Sequence, residues 1–561
     1  MKRPHLRRWL SRGLPAAYSE YASVAPPSPP SIWGLLIGLG VGILFAGLPG
    51  LAGAQQESPR YGGMLVFSVG AEPASLDAHR EDSFATVQPM APFYSLLIKV
   101  NQDRPSEFEG DLAESWTVSR DGLTYTFRLR DGIRFHDGSP LTARDVKATY
   151  DRILAPPAGV VSLRQAQYTM VDRVDAPDPR TVVFRLKWVS ASMLANLASP
   201  FNFVYKADVL AREPRWYEAN VLGSGPFKFV EYVRGSHVLG KRNEDYFLKG
   251  RPYLDGFRAQ FIRDTAARVA ALRGGRTHAE FRGFPPSTRD DLVRALGDKI
   301  VVQESPWLCT QYVALNHEKK PFTDPRVRRA LTLAVDRWEG SRALSRIATV
   351  RTVGGLVLPG APFAMPEAEL VKLPGFGRDI EASRREARRL LKEAGVPDGY
   401  SFTFKNRNIP MPFEAVGIFL IDQWRKVGLN VQQVVQETGP YFADLRAGSY
   451  EASIDFQCGG IEEPDFELAK YVSSDKSPIN YARYKDPVLD QLYEAQSRST
   501  DPEARRKLIA QFERRVLDEQ AHYVPTLWWH RIVLHASSVK GWKILPSHFL
   551  NQDLRDVWLA E

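Results

Sequence analysis

Between Phe456 and Phe466 the chain reads FQCGGIEEPDF, which sets one of its two cysteines beside two glycines and three carboxylates. Cys458, Glu462, Glu463 and Asp465 are residue types that bind metals, and paired acids are what general acid–base chemistry needs. Each reading meets a geometric objection. Adjacent glutamates in an extended loop point in different directions, and one loop cannot supply the opposed carboxylates of a working acid pair. Carboxylates suit calcium, yet the loop lacks EF-hand spacing. A third reading remains open, in which the glycines and proline shape a loop around something else.

Other chemistry finds little support. The chain contains no Gly-x-Ser-x-Gly elbow, no phosphate-cradling glycine loop and no His-Glu-x-x-His. Of the 10 histidines, His530 and His535 fall in WWHRIVLH, which alternates like a strand. An offset of five puts their side chains on opposite faces, so they do not share a metal. His136 and Asp137 sit in a DG turn and are expected to hold that turn.

The elements that must position these groups change character along the chain. The first half is strand-rich. MLVFSV, LTYTFRL, TVVFRLKW and the run after GSGP alternate with period two, separated by DG and DGSP turns. A short strand is expected between those two turns. Thr142 and Asp145 have the spacing of a capping box for a helix through Leu154. In the second half, PRVRRALTLAVDR, IEASRREARRLLKEAG, EAVGIFLIDQWRKVG and PEARRKLIAQFERRVLDEQ carry apolar residues at three- and four-residue spacing. The strands YSFTFKN and LNVQQVVQ lie between them. That alternation predicts an α/β arrangement with helices on both faces of a sheet.

The N-terminus stands apart. Lys2, Arg3, Arg7, Arg8 and Arg12 precede an apolar run from Ile32 to Leu48, followed by Pro49-Gly50 and Ala52-Gly53-Ala54. This is the order of a secretory signal with cleavage after Ala54, an uncleaved anchor being the alternative. Residues 55–561 then form the mature chain, long enough for two or three subdomains. The net charge of +9 for the whole chain falls to about +5 without the leader, and no basic run marks a nucleic-acid surface.

Five stretches, in order, resemble one family. They are GGMLVFSVGAEPASLD, LAESWTVSRDGLTYTFRLRDGIRFHDGSPLTARDVKATYDRI, GSGPFKF, LNHEKKPFTDPRVRRALTLAVDR and DPEARRKLIAQFERRVLDEQAHYVPTLWW. Together they are similar to the extracellular solute-binding proteins of peptide-type ABC importers, family 5, the group of dipeptide-, oligopeptide- and nickel-binding proteins. The resemblance implies an α/β fold of the type II periplasmic-binding-protein kind. Two lobes joined by a hinge would enclose a solute, with an extra strand-rich subdomain on the first lobe. It sets the first lobe at 55–310 with an insertion at about 91–220, the second at 311–528, and a return to the first at 529–561. Function would be capture in the periplasm and delivery to an ABC permease and ATPase complex by a monomer, with no enzymatic step, cofactor, metal or nucleic acid. An exported sensor or scaffold, or an envelope hydrolase on the same fold, is the alternative, and turnover of a solute would distinguish it.

The same resemblance assigns site residues. WLCTQYVALN and FQCGG are similar to two cysteine-bearing segments that are bonded in oligopeptide-binding members, which implies a Cys309–Cys458 disulfide in place of two free thiols. Tyr312 matches a ligand-contacting tyrosine. Arg446 matches an arginine that faces the cleft, a solvated helix end being its other reading. Gln457, Gly459, Gly460, Glu462, Glu463 and Asp465 form the ligand loop, and Trp307, Tyr441, Phe442, Trp528 and Trp529 supply aromatic lining or core. Peptide-binding relatives keep an aspartate for the peptide's α-amine where this chain has Gly460. The implied solute is therefore a modified or capped peptide, an opine or a similar molecule as readily as a plain peptide.

Overall fold

The structure, a computed structural model, describes residues 57–81 and 83–560. The basic head, the apolar run and the expected cleavage point at Ala54 lie outside the described residues. Among the described residues no helix is long and apolar enough to cross a membrane.

Local signals fold as their physical chemistry dictates. Thr142 caps helix Ala143–Leu154, its backbone N–H donating to the Asp145 carboxylate at 2.8 Å. Asp324, Asp379 and Asp501 each accept a first-turn N–H at the heads of helices Pro325–Leu333, Ile380–Glu393 and Pro502–Arg514. Proline occupies the first position of two of these, where no N–H is needed. One expected strand is reduced to a single bridge between Arg134 and Pro140. There the chain is taken up by turn contacts. The Asp137 carboxylate accepts from Ser139 N–H at 3.0 Å and pairs with Lys206, and His136 Nε2 meets Gly225 O at 3.1 Å.

Among the described residues the strands build one mixed sheet of 11, a separate sheet of four and two two-stranded pairs. The order in the large sheet is Asn430–Gln436, Ser401–Arg407, Ala452–Cys458, Ile300–Leu315, Tyr523–Ala536, Ala279–Glu280, Met64–Val69, Gly256–Phe261, His237–Arg242 and Phe227–Val233. Val350–Thr352 pairs with Tyr523–Ala536 off this path. The four-stranded sheet is antiparallel, in the order Ala113–Val118, Thr124–Leu129, Thr181–Leu186, Val171–Asp178.

Apolar burial follows the same division. One core gathers residues from Leu65 to Phe281 together with Val533 to Val557. A second, under the four-stranded sheet, gathers residues from Leu97 to Val204 and takes in Ile461. The third spans Trp307 to Trp529. The long strands Ile300–Leu315 and Tyr523–Ala536 are antiparallel partners whose outer halves pack in a small cluster with Leu272, Phe284 and Leu292, Val533 reaching the first core, and whose inner halves enter the third. Their outer halves pair as Ile300 with Ala536 through Pro306 with His530, and their inner halves as Thr310 with Trp528 through Ala314 with Tyr523. Between Pro306 and Thr310 the register shifts. Proline has no N–H to give a ladder, so the break falls where the chemistry allows it.

Candidate functional site

The register break is where the site is built. Leu308 N–H leaves the ladder and donates to Pro546 O at 2.8 Å. Cys309 returns to the sheet opposite Cys458, and the two are disulfide-bonded. Gly459 N–H donates to Leu308 O at 2.8 Å, and Gly459 O accepts from Ser547 Oγ at 3.1 Å. The FQCGG turn is thus pinned on three sides.

Trp307, inside the break, is 3% exposed, and its indole N–H donates to His548 Nδ1 at 2.9 Å. That bond requires an unprotonated Nδ1. Burial holds the His548 pKa well below the usual imidazole value, and the charges of Arg282 and Arg531 add to the effect. The Trp307 ring stands edge-on to Trp529 at 5.3 Å, Trp529 stacks on Phe456 at 6.2 Å, and Phe413 meets Trp529 edge-on at 5.8 Å. The Trp529 indole nitrogen is buried with no hydrogen-bond partner. The result is an aromatic wall from the first core to the third.

An arginine stands at each end. Arg282, just past strand Ala279–Glu280, lies over Phe84 at 4.6 Å and Trp307 at 5.7 Å. Arg407, the last residue of strand Ser401–Arg407, lies over Phe413 at 4.7 Å, Phe456 at 5.2 Å and Phe442 at 5.3 Å. Burial lowers the pKa of both guanidiniums.

The residues singled out from the sequence divide into two groups. Trp307 and Gly459 are at the break itself. Gln457 opposes Thr310 in the sheet, and its amide donates to Phe466 O at 2.5 Å. Gly460 is open, since a Cβ there would meet Pro200 at 3.8 Å and Phe201 at 3.9 Å, ordinary contact distances. Tyr441 is fully buried, donates to Ile454 O, and has Arg407 5.9 Å from its ring.

The rest lie elsewhere. Tyr312 is 1% exposed in a cluster with Tyr471 and Tyr523, beneath the buried Lys470–Asp455 pair. Arg446 is exposed in the last turn of helix Thr438–Ala447, which is the solvated helix-end position and not the aromatic wall. Trp528 packs with Leu308 and Leu358 and donates to Gly355 O at 2.9 Å.

The acidic loop turns inward. Asp465 accepts from Gln496 Nε2 at 2.5 Å and Ser497 Oγ at 2.7 Å, and both Asp465 and Glu463 are ion-paired with the buried Arg505. One cation serves two carboxylates. Burial, with Asp465 alongside, pushes the Glu463 carboxyl up to about 7 against the pull of Arg505. Burial also raises Glu462. Glu463 and Asp465 anchor the loop to helix Pro502–Arg514. Arg282, Arg407, Phe84, Phe413, Phe456 and His548 were not singled out, because each is unremarkable in its own stretch of sequence.

A small cavity beside the break is bounded by Leu308, Thr310, Gln457, Gly459, Glu467 and Trp528. A second cavity lies apart from the wall, among Tyr94, Lys99, Asp111, Pro200, Phe203 and Phe549. Among the described residues no group of three His, Cys, Asp or Glu side chains is placed to hold a metal ion. Aromatic walls with a few fixed charges are suited to holding a small molecule.

Known proteins give this geometry a context. A family model described as bacterial extracellular solute-binding proteins, family 5 Middle, matches residues 107–478. The glutathione-binding protein GsiB of Salmonella typhi is 26% identical over 531 residues, covering 93% of this chain and 98% of that protein. The GsiB of Escherichia coli O1:K1 / APEC is 27% identical over 491 residues, covering 86% and 92%. Among solved structures, the periplasmic binding protein DppA from Helicobacter pylori in complex with the peptide STSA superposes with TM-score 0.74 at 25% identity, covering 90% of this chain and 99% of that one. The binding protein AgaA from A. tumefaciens R10, in complex with agropinic acid, has TM-score 0.75 at 24% identity, covering 89% and 99%.

Proposed function

The chain belongs to the bacterial extracellular solute-binding proteins of family 5, and from that premise we propose that it captures a peptide or peptide-like solute between its two lobes and delivers it to an ABC permease and ATPase complex. The observation that carries this reading is the aromatic wall at the shared register break. There both ends of the large sheet contribute aromatic and cationic side chains to a common wall. A solute held there would contact both lobes, and a ligand that contacts both biases the hinge toward closure without any catalytic residue.

The finer assignments rest on the resemblance together with this geometry. The protein acts as a monomer in the periplasm, its leader ends near Ala54, and the lobes exchange within the two long strands, near residues 310 and 528. Gly460 stands open where relatives keep an amine-binding aspartate, which favours a capped, modified or non-peptide solute. GsiB relatives named for glutathione, a γ-linked peptide, support a peptide-like solute of unusual shape.

Native mass spectrometry of the freshly purified protein tests the reading, since a closed cleft retains its solute. A bound small molecule, and a rise in melting temperature with members of a peptide and opine panel without product formation, are expected. Solute-free protein that no member of the panel stabilises would overturn it.

A further inference from the structure

Behind the ligand loop, two polar side chains are each held by one end and left unmatched at the other. Glu467, in helix Pro464–Leu468, is 4% exposed; its Oε2 accepts the Leu358 N–H at 2.7 Å, and its Oε1 is buried without a partner. Gln457, opposite Thr310 in the sheet, donates its amide N–H to Phe466 O, and its Oε1 is likewise buried without a partner. Both side chains border the small cavity beside the register break, together with Leu308, Leu356, Thr310 and Trp528, and the cavity has room for about one water-sized group. We infer that Glu467 and Gln457 form a polar subsite of the capture site, which takes an uncharged hydroxyl of the solute and selects against an apolar group of the same size. This rests on the solute-binding reading and narrows it to solutes that carry an alcohol at one defined place.

Access comes from the loop side. Among the residues around the cavity Gln457 alone is partly exposed, while Leu308, Thr310, Leu356, Gly459, Glu467 and Trp528 are buried. A group of the solute therefore enters past Gln457, next to Phe456 of the aromatic wall.

The two unmatched atoms differ in what they ask for. Burial, with the charges of Glu462, Glu463 and Glu513 added, holds the Glu467 carboxyl protonated, well above the usual carboxylate range, against the pull of the Leu358 N–H. Since Oε2 accepts from Leu358, the proton sits on Oε1 and the cavity receives an O–H donor. Gln457 Oε1 offers a carbonyl acceptor beside it. A hydroxyl accepts and donates at once, so it matches both. An ammonium only donates, a carboxylate only accepts, and a methyl does neither. A site whose buried polar atoms are left unmatched by the wrong group discriminates sharply, whereas an apolar pocket tolerates an added hydroxyl. Holding Leu358 accounts for one oxygen of Glu467, and the subsite accounts for the other.

The test is calorimetric titration of the solute-stripped full chain with tripeptides, free and N-acetylated, in which each position in turn carries Thr, Val, Lys or Asp. Thr and Val have the same shape and differ in the hydroxyl. At one position Thr is expected to bind about tenfold or more tighter than Val, with Lys and Asp no better than Val. E467M should bring the Thr-to-Val ratio to unity. E467Q should keep most of it, because its amide carbonyl can serve Leu358 while its N–H replaces the carboxyl O–H. Melting of the solute-free variants checks that they fold, and the wild-type ratio is read without them. Thr and Val binding alike at every position, a preference for Lys at the responsive position, or an E467M ratio equal to the wild type would overturn the subsite and leave the solute-binding reading standing. No binding by any compound would overturn both.

Discussion

Cys309 and Cys458 stand directly opposite each other in the antiparallel pairing of Ile300–Leu315 with Ala452–Cys458, their Cα atoms 4.0 Å apart and their sulfurs bonded. The bond joins residues at a sequence separation of 149, where the long strand re-enters the sheet after its register break. It ties the strand bearing Trp307 to the strand bearing Phe456, so the aromatic wall and the loop at Gly459 inherit their spacing from it.

Removing that cross-link should destabilise the chain by about 2–4 kcal/mol, mainly by freeing the unfolded state. C309A/C458A is expected to unfold at lower denaturant than the wild type, and reductant should shift the wild type toward the variant. Thiol titration of denatured, unreduced protein should find no free thiol. Two free thiols would show that the bond does not form.

Gly460→Asp addresses ligand choice. The position has room for a side chain, and its backbone does not require glycine's positive φ. A carboxylate there would restore the amine partner that peptide-binding relatives carry. The variant should gain about tenfold or more in preference for free-amine peptides over their N-acetylated forms, as expected for a charged contact shielded from water. An unchanged ratio in a calorimetric competition would place Gly460 away from the solute.

The Lys470–Asp455 pair supports the wall from beneath. The side chains are 4% and 1% exposed, Lys470 also donates to Phe456 O at 3.3 Å, and its ammonium lies 5.3 Å from the Tyr312 ring. Lys470→Ala leaves a buried, uncompensated carboxylate and should cost about 3–5 kcal/mol in urea unfolding. Adding Asp455→Asn should recover most of that loss, because the charge left behind dominates the penalty. Equal losses in the single and double variants would refute this account.

How much of this was legible beforehand depended on range. The helix head at Thr142 was readable because a cap and its helix are sequence neighbours, and alternating strands were readable for the same reason. The disulfide entered only through family resemblance, since connectivity is a tertiary fact. Glu463 and Asp465 looked ready for ligand because their partner Arg505 lies 42 and 40 residues away. Arg282 and Arg407 were invisible for the converse reason. In a chain with 74 basic residues, nothing local distinguishes an arginine that the sheet carries to the aromatic wall from one, such as Arg446, that it leaves in solvent.

Glu513 supplies a pH-dependent test of the fold. It is buried beneath the turn at Gly355, and its Oε1 accepts the Leu356 N–H at 2.6 Å and the Val357 N–H at 3.3 Å, while Oε2 has no partner. Burial pushes its carboxyl from an ordinary 4.5 up to about 7, against the pull of those two N–H groups. Between those values the folded chain holds a proton that the unfolded chain releases. The stabilisation this gives is complete below about pH 4.5 and is lost as pH rises through about 7. Glu513→Gln keeps an acceptor for Leu356 and removes the titration. The variant should match the wild type within error at pH 4 and exceed it at pH 8, on the order of 1–3 kcal/mol. Glu463 titrates in the same window but is common to both proteins, so it cancels in the difference between them. Parallel melting curves at the two pH values decide the matter, and a gap that does not change with pH would mean that Glu513 is ionised in the fold.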